Sequence, residues 1–195
     1  GGGHRSGGRG VPGRDCMSLR LRRALFPVTA AGALTPGAAL AHAFQGGAGT
    51  YEQIVEGTGV ALTAPAIVLP LLALGLMAGL WRQDAMLAIW PQFLLAWVAG
   101  LLAAPVLPGW IGVAALGAGV LTATLAALLV PVPRALLMIA SVLSGALAAA
   151  ASFEGHALFE LPVGVHLGLF FGANLAVAVA AGLVVASRQR FRQGW

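Results

Sequence analysis

The stretch that decides the fold is LPVGVHLGLFFGANLAVAVAAGLVVA, Leu161 to Ala186, followed at once by Arg188, Arg190 and Arg192. It contains no Asp, Glu, Lys or Arg and is longer than the roughly 20 apolar residues that cross a hydrocarbon core. A basic cluster directly after such a run is a topology signal: it holds that end of the helix on the cytoplasmic side. Gly164, Gly168 and Gly172, continued by Ala176 and Ala180, recur every fourth residue. They form one smooth stripe on which a second helix backbone can rest.

Four more stretches of the same kind precede it, at about Val60–Leu80, Ala85–Ala104, Gly109–Val130 and Ala135–Ala151. Their connections carry the breakers and charges: Arg82-Gln83-Asp84, Pro105 to Pro108, Pro131 to Arg134, and a longer polar segment from Ser152 to Leu161. The expected fold is therefore all-α, a polytopic bundle of about five transmembrane helices. Composition agrees. Mean hydropathy is +0.90, and 59% of residues are apolar against 9% charged, whereas a soluble domain carries roughly 25% charged residues. The lipid bilayer is the expected surrounding.

The first 43 residues read as a separate region. Residues 1–16 are rich in Gly and Arg and lack apolar periodicity, which reads as an upstream extension or a disordered basic tail. Met17 opens a pattern of basic Arg20, Arg22 and Arg23, an apolar run from Ala24 to Leu40, and the small-x-small triplet Ala41-His42-Ala43. That is the order of an export signal, residues 17–43, with cleavage after Ala43. The alternative is an uncleaved first helix, giving six spans. The transmembrane domain is then 44–195.

An alternating path follows. With residue 44 outside, the arginines at 82, 134, 188, 190 and 192 all lie inside, while Glu52, Glu56, Glu154 and Glu160 lie outside. The mature N-terminus is periplasmic and the C-terminus cytoplasmic. Trp81, Trp110 and Trp195 fall near the expected interfaces. The net charge of +5 would suggest nucleic acid in a soluble chain, but the arginines sit between apolar runs and there is no Lys. No nucleic-acid partner is expected. Cys16 is the only cysteine, so neither a disulfide framework nor a thiolate metal site is available.

Polar side chains with metal-binding chemistry gather on the outer side. Glu52 and Glu56 stand one helical turn apart before the first span. Glu154, His156 and Glu160 occupy the last outer loop, and His166 lies just inside the final span. Neutral imidazole and carboxylate suit nickel, cobalt or zinc. An ionisable group within a span usually faces a partner or a cavity, and Asn174, two turns below His166, extends a polar path inward. The plainer reading is that the loop acids are solvated and His166 bonds to a neighbouring loop. Pro65 and Pro70 interrupt the first span, either as a broken helix that presents carbonyls to a cation or as a packed kink. Ser141, Ser144, Gly145 and Ala148 form a small-residue packing face. No Walker loop, nucleophile elbow or paired intramembrane His is present, and Ser141 or Ser144 with His166 lacks the elbow of a hydrolase. The chain is not expected to be an enzyme.

The signal ending in Ala-His-Ala, the run from Leu69 to Gly79, and Phe153-Glu-Gly-His-Ala-Leu-Phe-Glu160 before a glycine-rich last span together resemble the HupE/UreJ family of membrane proteins. The resemblance implies a helical bundle in the bacterial inner membrane. It implies nickel or cobalt as the transported or bound ion and a metalloenzyme maturation partner, while the small size of the bundle leads one to expect a homo-oligomer that encloses a path. The family's first-span motif, a His-Pro pair and a Gly-x-Asp-His element, is replaced here by Val60-Ala61 and Ala66-Ile67. Its second motif survives in part as Glu154-Gly155-His156-Ala157 and Glu160. The resemblance thus points to Glu154, His156 and Glu160 as metal ligands, and Glu56 and His166 join them from the reading of the outer polar groups. The alternative is a non-transporting scaffold or assembly factor for a membrane complex.

Overall fold

A computed structural model of the chain describes residues 49–81, 84–128, 132–154, 156 and 160–193. The upstream extension, export signal and cleavage site expected within residues 1–43 lie outside the described residues, as do Arg82 and Trp195. Among the described residues the fold is all-helical. Six helices follow in order: α1 Thr50–Thr63, α2 Pro65–Trp81, α3 Ala85–Ala103, α4 Ile111–Leu128, α5 Arg134–Ser152 and α6 Val163–Gln193. A short 3₁₀ turn, Ala104–Val106, follows α3. Four helices are long and apolar enough to cross a bilayer by themselves, and α1 with α2 passes the same test as one bent pair. The chain is a multi-pass membrane protein with four such spans, or five with the bent pair.

The first span departs from expectation. It is not one helix over residues 60–80 but two helices bent by 72°. The break falls at Ala64, whose backbone is extended at φ −74° and ψ 116°. Pro65 is the cause. It has no N–H to continue α1 and forces the residue before it out of the helical region, yet its fixed φ suits the first position of a new helix. Helix α1 also begins ten residues earlier than the apolar run, because Glu52 reaches back to accept the Gly49 N–H at 3.0 Å. Glu52 and Glu56 therefore lie within α1 rather than ahead of the first helix.

Pro70 stays inside α2 and is buried. Gly119 of α4 lets the turn that carries it pack closely: a Cβ there would stand 2.9 Å from the Pro70 nitrogen. The absent side chain leaves room for the proline.

The glycine stripe of α6 does what its spacing predicts. Gly164 lies against Thr50 and Gln53, Gly168 against Ile54 and Gly57, and Gly172 against Thr58 and Ala61. Thr58 Oγ1 donates to the Gly168 carbonyl at 3.1 Å as well as to Ile54 O at 2.8 Å. Farther along α6, Gly75 and Gly79 of α2 rest on the backbone at Val177 and Ala181. Residue numbers rise together in both contacts, so α1 and α2 run parallel to α6. The same holds between α2 and α4, where Ala66 is beside Gly112 and Pro70 beside Gly119. Helices α3 and α5 are likewise parallel: Ser141 Oγ donates to Ile89 O at 3.1 Å, and Gly145 lies on Phe93 and Ala96. Helices α3 and α6 are antiparallel, with Trp90 opposite Asn174 and Trp97 opposite Phe170. This is the alternation that the charge pattern requires.

The interior is filled by Leu71, Leu74 and Met77 of α2, Ile89, Phe93 and Trp97 of α3, Leu137 of α5, and Val165 and Leu169 of α6. The outward faces are just as apolar: Leu87, Leu95, Val113, Leu128, Val163 and Leu183 are all exposed. A helix that is oily on every face needs lipid around it.

Candidate functional site at the Glu154 to His156 turn

Helix α5 ends where Phe153 folds inward and is almost completely buried. The turn after it is closed by backbone bonds from Phe153 N–H to Ala150 O and from His156 N–H to Phe153 O, at 3.2 and 3.0 Å. It faces the connection between α3 and α4. Together they bound a half-open cavity of about 360 Å³, lined among others by Pro105, Leu107, Ile111, Phe153, Glu154 and His156. Its lining is almost as polar as it is apolar, with one carboxylate and one imidazole.

Glu154 is half-buried, and its Oε2 accepts the backbone N–H of Gly112 at 3.1 Å. Gly112 is the second residue of α4, so this N–H has no acceptor within its own helix. The carboxylate fills that role and sits on the positive end of the helix dipole. The start of α2 is close by, since a Cβ on Gly112 would lie 3.7 Å from that of Ala66.

His166 occupies the first turn of α6, half-buried. Its Nδ1 lies 3.0 Å from the carbonyl of Pro162. A carbonyl only accepts, so that bond places a proton on Nδ1. The ring stacks at a tilt of 37° on Phe153, centroid to centroid 4.8 Å. Phe153 thus touches His166 while also lining the cavity with Glu154 and His156.

The five expected ligands do not form one cluster. Glu154 and His156 share the cavity, and His166 lies behind Phe153. Glu160 is exposed in the connection that leads to α6, and Glu56 is half-buried on α1. Among the described residues no group of three or more His, Cys, Asp or Glu is placed to hold a metal ion. The physical reason is visible at two of them: Glu154 is turned toward α4 and His166 toward its own helix.

Three polar contacts had no counterpart in the sequence reading. One is the Gly112 partner of Glu154, for which local sequence carries no signal. The second joins Trp90 to Asn174: the indole Nε1 donates to Asn174 Oδ1 at 2.7 Å, while Asn174 Nδ2 donates to Phe170 O, also at 2.7 Å. Asn174 thus spends its oxygen on tying α3 to α6. The third is Arg188, whose guanidinium donates to the carbonyls of Gly79 and Leu80 at 3.2 and 2.9 Å. No protein-family model, curated protein or solved structure matches this chain.

Proposed function

We propose that this chain is a bacterial inner-membrane protein of nickel or cobalt handling, working in uptake or in delivery of the ion to a metalloenzyme, and akin to the HupE/UreJ proteins it resembles. The observation that carries the reading is the cavity at one end of the bundle: Glu154 and His156 line it, and the break in the first span lies close by, at the start of α2. Broken spans in transporters lie at the ion path, because irregular backbone is tolerated only where protein or water surrounds it. In this reading the cavity opens to the periplasm. Arg134 and Arg188 to Arg192 stand at the opposite, cytoplasmic end, as basic residues beside spans do. His156 supplies the imidazole ligand, with Glu160, Glu56 and His166 as further donors along the way in. The ion is cargo and is held only weakly, which suits a site with few donors.

A second reading is favoured by a specific observation: Glu154 and His166 both have backbone partners, and no described cluster of three donors exists. On that reading the bundle is a non-transporting scaffold or assembly factor for a membrane complex. Calorimetric titration of the detergent-purified protein with nickel, cobalt and zinc salts separates the two. Metal handling requires measurable binding that falls at least tenfold in a triple variant, His156→Ala with Glu160→Ala and His166→Ala. Binding that survives in the triple variant removes this site, and no binding of any of the three ions leaves the scaffold.

A further inference from the structure

The bundle is assembled from two kinds of helix contact. At one kind, backbone meets backbone. Glycines of α6 rest on α1, and Gly75 and Gly79 of α2 rest on α6 so closely that a Cβ on Gly79 would stand 2.7 Å from Ala181 O. Helices α3 and α5 meet in the same way, with Gly145 against the Phe93 carbonyl and Gly100 against Ala146. Such interfaces are close-packed and do not slide without overlap.

The contact between α3 and α6 is of the other kind. No glycine of either helix rests on the other among the described residues. The two are joined through side chains that reach across: the Trp90 to Asn174 hydrogen bond at 2.7 Å, and the Trp97 and Phe170 rings, edge to face at 6.4 Å. Trp90 is 44% exposed, so this tie lies at the surface rather than in the core.

We propose that the boundary between α3 and α6 is the seam along which this bundle opens sideways, and that the Trp90 to Asn174 hydrogen bond is its latch. Helices α1, α2, α4 and α6 form one unit locked by glycine contacts, and α3 with α5 forms another. Separating α3 from α6 swings side chains apart at their own boundary, where the two backbones hardly meet, while α2 stays packed on α5 and serves as the axis of the swing. The latch is self-aligned, because the Asn174 amide nitrogen is held by Phe170 O and its oxygen can therefore face only outward, toward α3. The inference stands whatever the cargo is.

The test is a distance measurement in lipid. In a background with Cys16 replaced by Ser, spin labels are placed on exposed Leu95 of α3 and exposed Leu175 of α6, and their separation is read by pulsed electron resonance in bilayer discs. Trp90→Phe keeps an aromatic ring and removes the N–H; Asn174→Ala removes the acceptor without adding bulk. Each is expected to enlarge the longer-distance population about threefold, the shift that one ordinary intramembrane side-chain hydrogen bond carries. Ser141→Ala, at the α3 to α5 contact, is expected to leave the distribution unchanged. Distributions that superimpose on wild type in both latch variants overturn the proposal, as does an equal shift in Ser141→Ala.

Discussion

The carboxylate of Glu154, just past the end of α5, caps the N-terminus of α4 by accepting the Gly112 N–H at 3.1 Å. Forty-two residues separate the two in sequence, so this is a cap supplied by a neighbouring element. It holds the cavity wall together, and it sets how far Glu154 is available for anything else.

This relationship predicts different outcomes for two substitutions. Glu154→Ala strands the Gly112 N–H and is expected to cost about 1 to 2 kcal/mol. Glu154→Gln keeps an oxygen acceptor and is expected to retain most of that stability. Thermal unfolding in detergent checks both. Equal losses in the two variants contradict the capping role.

The glycine contact between α6 and α1 predicts a steep local penalty. A Cβ at Gly168 would overlap the Ile54 carbonyl and crowd the Thr58 nitrogen at 2.8 Å. Gly168→Ala should therefore destabilise by about 2 kcal/mol or more. Gly59, on the same α1 helix, has nothing within 4 Å, and Gly59→Ala should be neutral or slightly stabilising. Paired unfolding curves decide it.

Two serines one turn apart on α5 should respond in opposite directions. Ser141 Oγ bonds to Ile89 O, while the equally buried Ser144 Oγ has no hydrogen-bond partner. Ser141→Ala is expected to cost about 0.5 to 1 kcal/mol. Ser144→Ala removes an unsatisfied hydroxyl and should be neutral or stabilising, because the penalty for burying it disappears. A loss in Ser144→Ala as large as in Ser141→Ala would show that the hydroxyl has a partner in the membrane.

Arg188 ties the end of α6 to the end of α2 through the carbonyls of Gly79 and Leu80. These lie in the last turn of α2, where carbonyls lack intrahelical donors and positive charge is favoured. Arg188→Ala should cost about 0.5 kcal/mol and loosen the α2 terminus. Arg190→Ala, an exposed change two residues on, should cost nothing. Hydrogen exchange across Ala78 to Trp81 is the sensitive readout, and unchanged exchange in Arg188→Ala argues against the tie.

Much of the architecture was legible from apolar run length and breaker placement. The stretches read as the second to fourth spans correspond to α3 to α5 within a few residues, because in lipid a helix satisfies its own backbone and its limits follow from where polarity and proline return; α6 starts where expected but runs seven residues past Ala186, since the basic residues that follow do not break a helix. The glycine stripe of α6 was equally plain, since a four-residue period on a helix is a geometric statement. The first span was legible only in part. Pro65 and Pro70 looked alike in sequence, but Pro65 breaks the helix and Pro70 is absorbed. What the tertiary structure adds is Gly119, forty-nine residues away, whose missing side chain lets the turn that carries Pro70 pack against α4.

The candidate site was less legible. Sequence spacing brought Glu154, His156, Glu160 and His166 near one another, but it could not say where each side chain turns. That depends on which unpaired N–H or carbonyl each one meets.

What the amino-acid sequence determined by itself is the all-helical membrane character, the number and limits of most spans, and the face that each small-residue stripe offers. These follow from hydropathy, helical period and backbone chemistry, which act within a single segment. Tertiary structure alone decided which proline breaks, that Glu154 serves α4, and that Asn174 meets Trp90. Each of these joins groups distant in the chain, and such contacts depend on how whole helices come to rest against one another.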